Sequence, residues 1–259
     1  MFMPQLMKKA EAGEKLAALT CYDASYARIL VQAGVDILLV GDSLGMTVQG
    51  HDTTLPVSLE QMVYHSAAVR RGAGNAFILV DLPFGSYQQS PGQAFASAAQ
   101  LLVAGANMVK LEGGAIMVET VEFLVRRGVP VCAHLGLLPQ SVNRTGYRAQ
   151  ARDNQAALQL LEDAANLEQA GAELLVLESI PALLASEVTS SLRIPTIGIG
   201  AGPQCDGQVL VLNDILGLTE KPPRFAHNFM LGATAIEEAV RRYVTAVKAG
   251  EFPAAEHAF

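Results

Sequence analysis

Six apolar runs stand out against a background of helical periodicity, and each ends on residues able to do polar chemistry or to turn sharply. Ile37–Val40 leads into Gly41-Asp42-Ser43, Phe77–Val80 into Asp81, and Met108-Val109 into Lys110-Leu111-Glu112. Val129–Ala133 leads into His134, Leu174–Leu177 into Glu178, and Ile194–Ile197 into Gly198-Ile199-Gly200. Runs this short and this continuously apolar read as strands buried on both faces, as in a parallel sheet covered by helices. The segments between them carry apolar residues three and four apart, as in Leu158, Leu161, Ala165 and Leu167. Several end in Gly-Val or Gly-Ala turns (Gly34-Val35, Gly105-Ala106, Gly171-Ala172) that return the chain to the sheet.

Adding weaker runs at both ends gives strands over 16–22, 36–42, 76–81, 107–112, 129–134, 174–178, 194–199 and 208–213. Eight strands alternating with helices predict an α/β fold, a (β/α)8 TIM barrel forming one domain over 1–259. A short N-terminal helix precedes it; a C-terminal helix over Ala233–Lys248 and a tail from Glu251 to Phe259 follow, with Phe252 and Phe259 free to dock on the barrel or a neighbour. Polar strand ends then gather on the face where such barrels keep their active sites. Two connections on that face are longer than geometry requires: Leu44–Pro56, with His51 and Asp52, and Leu135–Gln155, with Arg144, Arg148 and Arg152.

Composition narrows the function. With 51% hydrophobic and 17% charged residues the chain can bury a large core, and a net charge of −7 without a basic face excludes nucleic acid as a main partner. Cys21, Cys132 and Cys205 are too widely spaced for a thiolate zinc site and too few for a disulfide framework. Lys8, Lys9, Glu11 and Glu14 interrupt the N-terminus where a signal peptide needs an apolar core, and no apolar run approaches membrane-spanning length. A cytoplasmic protein without a membrane partner is expected.

Lys110 and Glu112, two apart on one strand, share a face and place opposite charges inside the barrel. Asp42 and Asp81 then need partners of their own or caps on the following helices, and one Mg2+ would neutralise carboxylates at neighbouring strand ends. Glu112 would join them directly or through a bound water. His134 has no second His or Cys nearby, which favours a hydrogen-bonded interior residue over a zinc ligand. Glu178 faces the cavity or caps the next helix, and a partly desolvated carboxylate there suits a general base. Gly198–Gly202 either cradles a phosphate or allows close packing beneath a ligand.

Taken together, Gly41-Asp42-Ser43-Leu44-Gly45-Met46-Thr47-Val48-Gln49-Gly50-His51, Val80-Asp81-Leu82-Pro83-Phe84, Val109-Lys110-Leu111-Glu112-Gly113-Gly114, His134-Leu135-Gly136-Leu137-Leu138-Pro139-Gln140 and Gly198–Gly202 closely resemble the ketopantoate hydroxymethyltransferase family. The likeness runs from about Leu16 to Glu256-His257. It implies a Mg2+-dependent barrel, assembled as a homodecamer, that makes 2-dehydropantoate for pantothenate synthesis from 3-methyl-2-oxobutanoate and 5,10-methylenetetrahydrofolate. By that resemblance Asp42 and Asp81 are metal ligands, Glu112 is a third metal-site acid, Ser43 and Lys110 contact the keto acid, and Glu178 accepts the proton; a metal-held keto acid is expected to lie also against Asp42, Asp81 and His134, with His134 a hydrogen-bonding partner or relay for Glu178. The sequence departs from the family pattern at Leu138, where Thr is common, at Arg144-Thr145, where the loop is a residue shorter, and at Asn213, where His is common. Three rival readings accompany this one. A Mg2+-dependent lyase or phosphonate mutase usually carries a Cys-containing loop, and no Lys-Cys-Gly-His segment occurs here. A Schiff-base aldolase would use Lys110, and a catalytically silent barrel would leave the buried acids without purpose.

Overall fold

The computed structural model describes all of residues 1–259. Eight parallel strands pair in chain order and close on themselves: β1 Leu16–Thr20, β2 Ile37–Val40, β3 Phe77–Asp81, β4 Met108–Glu112, β5 Val131–Gly136, β6 Leu174–Glu178, β7 Thr196–Ile199 and β8 Gly207–Leu210. The expected (β/α)8 barrel is therefore present, and nearly every strand residue is buried. Helix α1 (Met3–Glu11) comes first; α2 (Ala24–Gln32), α3 (Leu44–Thr47), α4 (Leu59–Gly72), α5 (Pro91–Val103), α6 (Val118–Val125), α7 (Val142–Thr145), α8 (Asn154–Gln169), α9 (Ala182–Ser191), α10 (Leu212–Ile215) and α11 (Ile236–Lys248) follow. No helix is long and apolar enough to cross a membrane.

Local chemistry sets the helix limits. Asp23 caps α2 through the Ser25 and Tyr26 N–H groups, Ser58 and Gln61 form a reciprocal capping box on α4, and Asp153 caps α8 through Ala156 N–H. The return after α8 requires Gly171, whose φ of +100° disfavours a side chain and whose missing Cβ leaves space for Val125.

Strand ends differ from the sequence reading where side chains capture backbone groups. β2 stops at Val40 because Asp42 N–H donates to Asp81 Oδ2 at 3.1 Å instead of extending the ladder. β7 begins at Thr196, since the N–H groups of Arg193 and Ile194 both donate to Glu168 Oε1. β8 ends at Leu210, not at 213: Leu212 N–H turns away to Thr20 Oγ1 at 2.8 Å, and Asn213 belongs to α10. The C-terminal helix starts at Ile236, three residues later than Ala233. Its Tyr243 is fully buried, with its hydroxyl 2.9 Å from Ala18 O and 3.0 Å from Gln208 O, which ties α11 to the β1–β8 seam. In the tail, Phe252 is buried against Tyr243 and Phe229.

The end of the barrel away from the polar strand termini is closed by α1, with Leu6 fully buried. A charge cluster fastens it there. Asp36, 3% exposed, pairs with Lys9 of α1 at 2.6 Å and Lys248 of α11 at 3.1 Å and accepts Ala17 N–H at 3.0 Å. Glu14 joins both ammoniums, and its hydrogen bond from Lys248 holds its carboxyl below the usual range. Asp36→Ala leaves two ammoniums and a backbone N–H without their shared acceptor. It is expected to lower the unfolding free energy by about 3 kcal/mol in urea titrations, and a loss below about 1 kcal/mol would show that the cluster does not hold the helices. Because the folded-state Glu14 value is depressed, its contribution is present above the ordinary glutamate range and lost as pH falls through the folded value.

Candidate active site

Strand register determines which polar residues meet. Asp81 of β3 pairs with Lys110 of β4, Glu112 of β4 with His134 of β5, and Gly136 of β5 with Glu178 of β6. Asp42, Asp81, Lys110, Glu112, His134 and Glu178 consequently line one cavity of about 1100 Å3 at the C-terminal ends of the strands. Ser43 joins them, its hydroxyl 2.9 Å from that of Tyr22. All seven residues singled out in the sequence lie together.

Asp42 and Asp81 do not cap helices. Asp42 Oδ2 accepts from Gln140 Nε2 at 2.9 Å, Asp81 Oδ2 accepts Asp42 N–H, and α3 has no side-chain cap. Lys110 Nζ lies 2.9 Å from Asp81 Oδ1, an ion pair without hydrogen-bond alignment, and 3.3 Å from His134 Nδ1. Glu112 Oε2 accepts Gln140 N–H at 3.0 Å, while its Oε1 is 3.4 Å from His134 Nδ1. On the ring's other side His134 Nε2 is 3.2 Å from Glu178 Oε2.

These contacts set the charge states. Three carboxylates face a single ammonium. Burial first, then the charges of Asp81 and Glu112, holds the Asp42 carboxyl well above the carboxylate range. Burial pushes Glu112 up to about 7, against the pull of Lys110 and the Gln140 N–H. At Lys110 burial opposes the charge, yet Asp81, Glu112 and Asp42 together raise its pKa and keep the amine protonated. Burial, reinforced by Lys110, lowers His134, so the ring is neutral. With the ammonium, a donor only, 3.3 Å from Nδ1, we assign the ring proton to Nε2, which lies 3.2 Å from Glu178 Oε2 without hydrogen-bond alignment.

No three or more His, Cys, Asp or Glu side chains are drawn into coordinating geometry. The donor set nonetheless fits a hard divalent cation. Asp42 Oδ1 has no hydrogen-bond partner, the Asp81 Oδ1 contact is an ion pair alone, and the site holds more carboxyl groups than Lys110 alone can keep ionised. Gly41 keeps the floor open, since a Cβ there would stand 2.8 Å from Ser43 Oγ and 3.5 Å from Asp81 Oδ2.

Across its full breadth the sequence matches known proteins. The family model described as ketopantoate hydroxymethyltransferase covers residues 1–255. The chain belongs to the ketopantoate hydroxymethyltransferase family. It is accordingly an enzyme, a transferase. It is 62% identical over 250 residues to the 3-methyl-2-oxobutanoate hydroxymethyltransferase of Thiobacillus denitrificans, covering 96% of this chain and 95% of that protein. To the protein of the same name from Nitrosospira multiformis it is 60% identical over 254 residues, with 97% of each covered. Among solved structures, a phosphonopyruvate hydrolase in complex with oxalate and Mg2+ superposes with a TM-score of 0.62 at 14% identity, over 82% of this chain and 81% of that one. A 2,3-dimethylmalate lyase of the PEP mutase/isocitrate lyase superfamily gives 0.55 at 17% identity, over 75% and 68%. These last two likenesses concern the fold alone.

Not every ketopantoate hydroxymethyltransferase motif residue noticed in the sequence had an evident task. Gln140 ends one quoted motif, and the structure gives it a central place. Its side chain donates to Asp42 Oδ2 and Leu82 O and accepts from the Tyr87 hydroxyl at 2.7 Å and Gln88 Nε2 at 3.1 Å, and all four amide positions are used. Tyr87, fully buried, also accepts Glu112 N–H at 3.1 Å. Neither role has a local signal, because the partners lie on other strands. The glycines at β7 allow close packing: a Cβ at Gly198 would meet Cys205 and Gln208, and one at Gly202 would meet Ala182. Of the loop arginines only Arg148 lines the cavity, whereas His51 and Asp52 both do, and Tyr147 meets Met46 across its mouth. Gln140→Leu strands Asp42 Oδ2, Leu82 O and the Tyr87 hydroxyl at once. A drop of about 2–4 kcal/mol in unfolding free energy is expected by denaturant titration, and an unchanged midpoint would refute the bridging role.

Proposed function

We propose that this enzyme transfers a hydroxymethyl group from 5,10-methylenetetrahydrofolate to 3-methyl-2-oxobutanoate, giving 2-dehydropantoate for pantothenate and coenzyme A synthesis. The observation that carries the reading is the crowding of Asp42, Asp81 and Glu112 around one ammonium, with Glu178 across His134 from them. Asp42 and Asp81, with Glu112 directly or through a water, would hold Mg2+, which when bound supplies fixed positive charge beside a developing enolate oxygen. Lys110 would bind the keto acid carboxylate and Ser43 would orient it. Glu178 Oε2 would take the C3 proton, and the Nε2–H of His134 would steady the carboxylate before transfer. The carbon so activated would form a C–C bond to the one-carbon unit while both C–N bonds of the methylene bridge break, the folate nitrogens regaining protons and one water supplying the oxygen of the new hydroxyl.

A Schiff-base route through Lys110 fits less well, because its nucleophile must be a neutral amine and Lys110 is held protonated between carboxylates. The sequence identity near 60% to hydroxymethyltransferases likewise favours this reading over lyase chemistry, for which the support is fold alone. The proposal includes a cytoplasmic location and self-association as a homodecamer, for which exposed Val103, Ile116 and Leu183 offer apolar surface.

Keto acid deuterated at C3, incubated with enzyme and Mg2+ in ordinary water, should lose its label as followed by NMR, and chelator should stop the loss. Glu178→Gln should slow it by about a thousandfold, and Asp81→Ala by orders of magnitude. Label retained in the presence of both Mg2+ and folate, with the substrate unconsumed, would sink the reading.

A further inference from the structure

The cavity is larger than a short branched keto acid needs. At about 1100 Å3 it exceeds the range of roughly 300–1,000 Å3 typical of pockets for one drug-sized ligand. Its lining does not end at β6. It continues round the barrel through Val209 and Val211 to Asp214, Thr219, Phe225 and Phe259, none of which the keto acid chemistry uses.

Asp214 is the outstanding residue of this stretch. Only 5% exposed, it is the one buried carboxylate in the cavity lining outside the group at β2–β4. No Lys, Arg or His pairs with it, and the Thr219 hydroxyl donates to its Oδ1. Its Oδ2 has no hydrogen-bond partner in the protein. A buried carboxylate so placed is costly unless donors complete it, and burial accordingly raises its pKa. The protein supplies neither cation nor N–H to Oδ2, which faces the open cavity where a ligand can bring its own donors. In the same lining, two aromatic rings cover the end of β7: a Cβ on Gly200 would stand 2.9 Å from Phe225 Cδ1 and 3.1 Å from Phe259 Cε2. Flat apolar rings and a buried acceptor in one cavity suit a planar heterocycle with adjacent N–H donors on one edge.

We propose that Asp214 anchors the pterin ring of the folate co-substrate, its carboxylate accepting from the 2-amino group and the neighbouring ring N–H, with Phe225 and Phe259 as the apolar wall. This rests on the reading of folate as the one-carbon donor. The two ligands then occupy different arcs of one barrel mouth. The acids of β2–β4 and Glu178 of β6 serve the keto acid, and the segment after β8 serves the folate.

The test uses tetrahydrofolate and an analogue lacking the 2-amino group, titrated into the Mg2+-loaded enzyme by calorimetry. Wild type should bind the analogue at least about tenfold more weakly. Asp214→Asn should bind tetrahydrofolate at least about tenfold more weakly and lose most of that discrimination, with a matching rise in KM for methylenetetrahydrofolate and little change in deuterium loss from the keto acid alone. Equal binding of both ligands by wild type would overturn the proposal, and this arm needs no variant to fold. Retention of full discrimination by Asp214→Asn would overturn it too. If wild type bound tetrahydrofolate and turned over with methylenetetrahydrofolate while these arms failed, only the Asp214 assignment would fall. If wild type released deuterium yet neither bound nor used folate, the reading of the donor would fall, and this assignment with it.

Discussion

The crowding of three carboxyl groups against one ammonium, at the ends of three adjacent strands, is the constraint on which the rest of the site depends. Asp42, Asp81 and Glu112 converge on Lys110, and all four are buried. In water such a group would disperse; inside the barrel it cannot. The consequence is written in the two carboxyls pushed upward and the ammonium held protonated. Several donors are accordingly drawn to the carboxyls: Gln140 gives both its amide hydrogen and its backbone N–H, Asp42 gives its own N–H to Asp81, and Tyr87 braces Gln140 from behind. These bonds fix the carboxyls before any ligand arrives, which is the condition for stabilising charge that develops during a reaction.

The barrel divides its labour by end. At the N-terminal end of the strands opposite charges are balanced, since Asp36 and Glu14 meet Lys9 and Lys248, and the result is attachment of α1 and α11. At the C-terminal end the balance is withheld. The strands are largely apolar, with Lys110 inside β4 and His134 inside β5 as site residues, and most of the difference between the ends comes from the polar residues at and just after the C-terminal strand ends. The same scaffold thus supports structural and chemical sites according to the polar side chains it carries at each end.

Most of this division was legible in the sequence because it is local. An apolar run followed by Asp or Glu needs no knowledge of the fold to be noticed, and the i, i+2 spacing of Lys110 and Glu112 predicts their shared face directly. What escaped the sequence is what depends on register and on distant partners. Gln140 could not be distinguished from other loop amides, because its acceptors belong to residues 98 and 58 positions away. Tyr87 lies beyond β3 in an irregular stretch with no periodicity to mark it inward-facing. The overrun of β8 to residue 213 has the same origin: Val209 to Leu212 is as apolar as a strand, and only Thr20, from the opposite end of the chain, turns it aside.

That misplaced boundary bears on the chemistry. Had β8 continued to 213, alternation would have put Asn213, not Asp214, on the same face as Val209 and Val211, and the acid beside it on the helix-covered side. The turn into α10 instead brings both residues into the lining of the cavity and buries Asp214 there beside Thr219. A hydroxyl on β1 therefore decides where a carboxylate after β8 points.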